Sequence, residues 1–225
     1  MRHFFKFAIC LIAANCIFSG NVKADIVLTF DQSGLANGTS IDQDYGDRVV
    51  ASPDSNGHGY NIVAGVNLLT PNVEVDYDAG GVGAALWTSG YGDLTNVLYA
   101  NDSASALNIN FTADAGFEVG LVGFDLAAFG TPLTIPGIVV TDGTDNVLFS
   151  VGTTEIIGGA SRNSFDTSGI FAESLSITVD LTGVEGLADN VAIDNIQFNQ
   201  RPVPEPASAS IVLLGLIGLA SRRKR

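Results

Sequence analysis

Past residue 24 the chain has no cysteine, because Cys10 and Cys16 are its only two. Disulfide staples and thiol chemistry are therefore excluded from everything downstream. Histidine is nearly as scarce, with His3 near the start and His58 as the other. One histidine and no thiolate cannot build a Cys/His zinc site. A Ser-His-Asp arrangement would have to use His58, which lies in the loop-like Ser55-Asn56-Gly57-His58-Gly59, and no serine sits in a nucleophile-elbow pattern. The glycine-rich Ala79-Gly80-Gly81-Val82-Gly83 lacks the lysine and following helix of a phosphate loop.

Positive charge is the next shortage. Between Asp25 and Gln200 only Arg48 and Arg162 stand against twenty-three acids, a net charge of −21, and lysine is absent. Such a surface repels a phosphate backbone, which excludes nucleic acid as a partner. It favours solubility outside the cell, and it offers carboxylates to divalent cations. Two carboxylates could also hydrolyse a glycoside, but twenty-three acids single out no pair.

Long apolar runs are scarce too, and the two present lie at the ends. Arg2, His3 and Lys6 precede the apolar stretch Phe7–Phe18, and Val22-Lys23-Ala24 offers compact residues for cleavage. Residues 1–24 read as a secretory signal peptide, leaving 25–200 as one domain of ordinary size. The tail, 201–225, contains Pro204-Glu205-Pro206, an apolar segment at 207–220, then Arg222, Arg223, Lys224 and Arg225. The prolines stop any element arriving from upstream. Fourteen residues of helix reach about 21 Å, short of a roughly 30 Å hydrocarbon core, but terminal arginines can snorkel and extend the span. The basic block belongs on the cytoplasmic side. This tail resembles the sorting tail of PEP-CTERM proteins. The resemblance implies a short transmembrane sorting helix, transient anchoring in the inner membrane and processing by an exosortase-type enzyme. It also implies delivery to the cell envelope or outside.

The domain between reads as all-β. Short runs rich in Val, Ile, Leu and Phe are separated by clusters of Ser, Thr, Asn, Asp and Gly. Strands are predicted at Ile26–Phe30, Val73–Tyr77, Val97–Ala100, Leu107–Phe111, Leu121–Phe129, Ile138–Thr141, Val147–Val151, Leu175–Leu181 and Val191–Phe198. Leu107, Ile109 and Phe111 alternate with Asn108 and Asn110, as a half-buried strand does. Asp142-Gly143-Thr144-Asp145-Asn146 predicts a hairpin turn. Many short antiparallel strands point to a β-sandwich, in the form of a jelly roll. In the last strand the apolar phase flips, since Val191 and Ile193 share one parity and Ile196 and Phe198 the other. A bulge at Asp194-Asn195 is the economical cause. Val191-Ala192-Ile193-Asp194-Asn195-Ile196 resembles the closing strand of jelly-roll carbohydrate-binding modules. That resemblance implies a structural calcium held by Asp194 with a group near the first strand, here Asp31, with Asn195 in reserve.

Tyr45, Tyr60, Tyr77, Trp87, Tyr91 and Tyr99 fall in one glycine-rich stretch. Trp87 and Tyr91 bracket Thr88-Ser89-Gly90, and Gly92-Asp93 follow. A flat ring beside a carboxylate is how proteins hold sugars, so Trp87, Tyr91 and Asp93 are the candidate glycan residues; core packing is the competing fate of such rings. Tyr45-Gly46-Asp47-Arg48 and Leu69-Thr70-Pro71-Asn72-Val73 also resemble segments of exported PEP-CTERM proteins. The expectation is an exported cell-surface or matrix-associated, non-catalytic module that binds glycans or associates with biofilm exopolysaccharide. A structural surface protein without a small ligand and a glycoside hydrolase are the alternatives.

Overall fold

The alternating segments become strands, and their apolar parity faces one core. The computed structural model describes residues 26–31, 36–50, 60–62, 69–79, 83–184 and 186–203. Residues 1–24, read above as a signal peptide, His58 and the tail from Pro204 onward lie outside the described residues. Among those described, no helix is long and apolar enough to cross a membrane.

Fourteen strands are present among the described residues. In chain order they are β1 (Ile26–Leu28), β2 (Tyr60–Ile62), β3 (Val73–Asp78), β4 (Ala85–Trp87), β5 (Val97–Tyr99), β6 (Ala106–Ala113) and β7 (Phe117–Ala128). Then come β8 (Leu133–Ile135), β9 (Gly137–Asp142), β10 (Val147–Val151), β11 (Thr154–Ile156), β12 (Asn163–Ala172), β13 (Ser174–Asp180) and β14 (Val191–Pro202). Five form one sheet in the order β10-β9-β13-β6-β3. Seven form the other, ordered β12-β7-β14-β1-β2, with β5 also on β14 and β4 on β5. Every pairing is antiparallel.

The two sheets pack face to face as a β-sandwich. Leu107, Ile109 and Phe111 of β6 lie opposite Val179, Ile177 and Leu175 of β13, and all six are buried. Each such side chain contributes roughly 1.5–3 kcal/mol when fully buried. Phe111 meets Phe198 of β14 across the interface, ring centroids 5.2 Å apart.

The loop before β3 protects an edge. Sheet edges expose unpaired N–H and C=O groups that invite pairing with other chains. Here the Asp47 carboxylate accepts from the Val75 amide at 2.5 Å, and Gln43 accepts from the Tyr77 amide at 2.9 Å. The Arg48 amide donates to Val73 at 2.7 Å, while its guanidinium holds Glu74 and Asp114, each at 2.7 Å. Tyr45, next to this clamp, is fully buried and accepts from the Phe30 amide. Tyr45-Gly46-Asp47-Arg48 is thus a latch between loop and sheet.

The hairpin at 142–146 forms as predicted. Asp142 accepts from the Thr144 and Asn146 amides and from both their side chains. The five strands β2, β4, β8, β11 and β12 were not predicted; all but β12 are three residues long.

Candidate functional site

The β4–β5 hairpin carries Trp87 and Tyr99 and docks on β14, with Ala192 opposite Tyr99. The turn after β4 brings Tyr91 into a bridge with Phe129, just past β7. Two glycines make this approach possible. Gly90 has φ +98°, and a Cβ there would stand 2.4 Å from the Phe129 ring. Gly92 has φ +57°, and its Cβ would lie 2.0 Å from the Ser161 carbonyl oxygen. Both positions need the left-handed freedom and missing side chain of glycine.

Four rings close a circuit. Centroids are 5.8 Å apart for Trp87–Tyr99, 6.4 Å for Tyr99–Tyr91, 5.3 Å for Tyr91–Phe129 and 6.4 Å for Phe129–Trp87. They line a cavity of about 210 Å³ together with Asp189 and Asn190. Tyr91 and Tyr99 belong to a small apolar cluster set apart from the main core, and Trp87 packs against it. Tyr91 is buried, whereas Phe129 is 43% exposed, so the cavity has a fixed floor and an accessible wall. The Tyr91 hydroxyl donates to the Asp189 carbonyl. Burial holds the Tyr91 phenol protonated well above its usual range. Burial, then the neighbouring Asp102 carboxyl, raises the Asp189 side chain above the ordinary carboxylate range.

Trp87 and Tyr91, singled out in the sequence, are therefore brought together. Asp93 is not among the cavity's lining residues, and its carboxylate is held by Arg162 at 3.0 Å. Tyr99, Phe129, Asp189 and Asn190 are the lining residues not singled out.

A larger, open cleft of about 640 Å³ runs along β7 and β12, lined among others by Asp125, Arg162, Phe165 and Gln197. β12 bulges there, between Asp166 and Ile170. Arg162 is already paired there, holding Asp125 at 2.9 Å as well as Asp93, while Asp166 accepts from the Ser168 amide. Phe165 stacks on Phe124 at 5.3 Å.

The phase flip in β14 is a bulge. Asp194 lies opposite Asp125 and Gln197 opposite Gly123, so Asn195 and Ile196 face only Phe124. Asn195 takes φ +50°, and Val191, Ile193, Ile196 and Phe198 all reach the core. Asp194 is 4% exposed. Burial pushes its carboxyl up to about 8, with Asp31 and Asp125 adding to the rise and the Asn195 amide opposing it. The Asn195 side chain turns elsewhere, donating to Asp125 at 2.9 Å, and Asp31 accepts from Asn96. Among the described residues no three acidic, histidine or cysteine side chains are grouped to hold a metal ion. A calcium at Asp31 and Asp194 would therefore draw most of its six to eight oxygens from other groups, such as backbone carbonyls and water.

No protein-family model matches the chain, and no curated protein matches it. Solved structures similar to it include a CBM4 carbohydrate-binding module, 18% identical, covering 72% of this chain and 100% of that one, TM-score 0.33. Another is the family 32 module of C. perfringens NanJ in complex with galactose, 10% identical, covering 57% of this chain and 93% of that one, TM-score 0.31. A third is an arabinose-bound GH51 α-L-arabinofuranosidase, 10% identical, TM-score 0.34, matched over 81% of this chain but 27% of its own length.

Proposed function

We propose that the chain is an exported, non-catalytic glycan-binding module with a jelly-roll sandwich, and that the aromatic cavity is its binding site. The four-ring circuit carries this reading. Sugar rings present C–H faces that stack on aromatic planes, and their hydroxyls need a few fixed polar partners. Trp87 and Phe129 supply accessible faces, and Asp189 and Asn190 the polar rim. The volume, about 210 Å³, lies below the roughly 300–1,000 Å³ of drug-sized pockets, so the site takes one sugar ring or a chain end. The test is calorimetric titration of the full-length protein against a panel of soluble oligosaccharides. Saturable binding that Trp87→Ala abolishes and Phe165→Ala preserves supports the reading. Binding that follows Phe165 instead would move the site to the larger cleft and refute it.

Sorting completes the proposal. Residues 1–24 direct export, Pro204-Glu205-Pro206 with the apolar segment and Arg222–Arg225 anchor the chain transiently, and an exosortase-type enzyme releases it to the envelope or matrix. Intact mass of the released protein is expected to lack Arg222 to Arg225; finding them there refutes the sorting step. A calcium at Asp31 and Asp194 would neutralise a buried carboxylate and tie the first strand to the last. Calcium is then expected to raise the melting temperature beyond matched magnesium or sodium chloride, and Asp194→Asn to remove that excess.

A further inference from the structure

We infer that the aromatic cavity selects a sugar carrying a protonated amine, a 2-amino-2-deoxy-hexose, over its neutral counterparts. This rests on the glycan reading of the cavity and names the ligand class.

The first ground is ring geometry. Trp87 is nearly perpendicular to both Tyr99 and Phe129, with interplanar angles of 87° in each case and centroids 5.8 and 6.4 Å away. A cation held against the accessible faces of Trp87 or Phe129, which line the cavity, is attracted by the ring at separations up to roughly 6 Å. A neutral sugar needs only one flat platform, whereas four rings around one ring-sized space suit a compact cation. The second ground is charge. Asp189 lines the cavity, and the neighbouring Asp102 carboxyl is near enough to raise it further above the ordinary carboxylate value, after burial. Two carboxyls so close repel when both are ionised, and a cation between ring and acid relieves that. The third ground is the lack of a competing cation. Among the described residues no basic side chain lines the cavity. Arg48, Arg162 and Arg201 are the basic residues among those described, and each is engaged in an ion pair elsewhere. An ammonium on the ligand is then the counter-charge the cavity lacks. An N-acetyl group at the same carbon carries no charge and adds bulk to a space of about 210 Å³.

Three β-1,4-linked oligosaccharides of equal length that differ only at carbon 2 test this: glucosamine, N-acetylglucosamine and glucose oligomers. The full-length protein is titrated with each at pH 6, where the amine is protonated. The expected result is at least tenfold tighter binding of the amine, with Asp189→Asn removing that preference and Trp87→Ala removing binding. Phe129→Ala, at an accessible position, is expected to weaken amine binding and serves if Asp189→Asn fails to fold by circular dichroism. Equal binding of the three, or preference for a neutral oligomer, overturns the inference and leaves the glycan reading standing. Amine binding that survives both Trp87→Ala and Phe129→Ala reports attraction to the acidic surface at large and overturns it too. No binding of any of the three overturns the inference, and the glycan reading then stands or falls with the wider oligosaccharide panel.

Discussion

Replacing Asp194 by asparagine is expected to stabilise the metal-free protein, by an amount that grows as pH rises. The carboxyl goes from 3.8 to about 8 on folding, chiefly through burial. A raised carboxyl binds its proton more tightly folded than unfolded, so stability falls as pH rises between those two values and levels off above the folded one. The slope is about 1.4 kcal/mol per pH unit, so from pH 5 to 7 the loss is roughly 2.7 kcal/mol. For a domain of this size that is about 5–11 °C in melting temperature. Asparagine carries no charge and still offers Oδ1 to the Asn195 amide, which Asp194 binds at 2.6 Å. The assay is thermal melting of wild type and Asp194→Asn with chelator, from pH 5 to 9. The difference between the curves should open with pH and flatten near 8, and saturating calcium should reduce it. Parallel curves, or an Asp194→Asn protein less stable at pH 8, would refute the reasoning.

The edge latch and the hairpin carry their own expectations. Asp47→Ala leaves the Val75 amide without its acceptor and should cost roughly 1–2 kcal/mol, with faster hydrogen exchange along β3; Asp47→Asn, which keeps an acceptor, should cost less. Equal losses in both would place the effect in charge. At Asp142 the Asn146 side chain, then Thr144, holds the carboxyl down at about 2. Its contribution is therefore present above the unfolded value near 4 and lost as pH falls toward 2. A carboxyl-carbon NMR titration should put its midpoint well below that of an ordinary aspartate, and Asp142→Ala should remove the matching part of the acid transition.

Long strands with clean alternation were the legible part of the fold. Leu175, Ile177 and Val179 could be read because each buried position is flanked by Ser176 and Thr178, partly exposed in the structure. The bulge at Asp194-Asn195 was legible for the same reason, as a break in parity. β12 was missed because Asn163-Ser164-Phe165-Asp166-Thr167-Ser168-Gly169 has a loop's composition, and its register breaks at the bulge. β4 and β8 hold three residues each, too few for a period to show. At the site, Trp87 and Tyr91 stood out as neighbours in a glycine-rich stretch. Phe129 and Asp189 are set beside them by the pairing of β14 with both β5 and β7, which no local pattern encodes. Arg162 could not be placed from sequence either, and it holds the Asp93 carboxylate in an ion pair.

Trp87 is the chain's only tryptophan, so its emission reports on the proposed site alone. Titrating the full-length protein with the oligosaccharides while following tryptophan fluorescence and calorimetric heat together tests the central claim most directly. The account predicts a saturable shift in emission that tracks the heat and moves to higher ligand concentration with Phe129→Ala. Heat that saturates while Trp87 emission stays unchanged would contradict it.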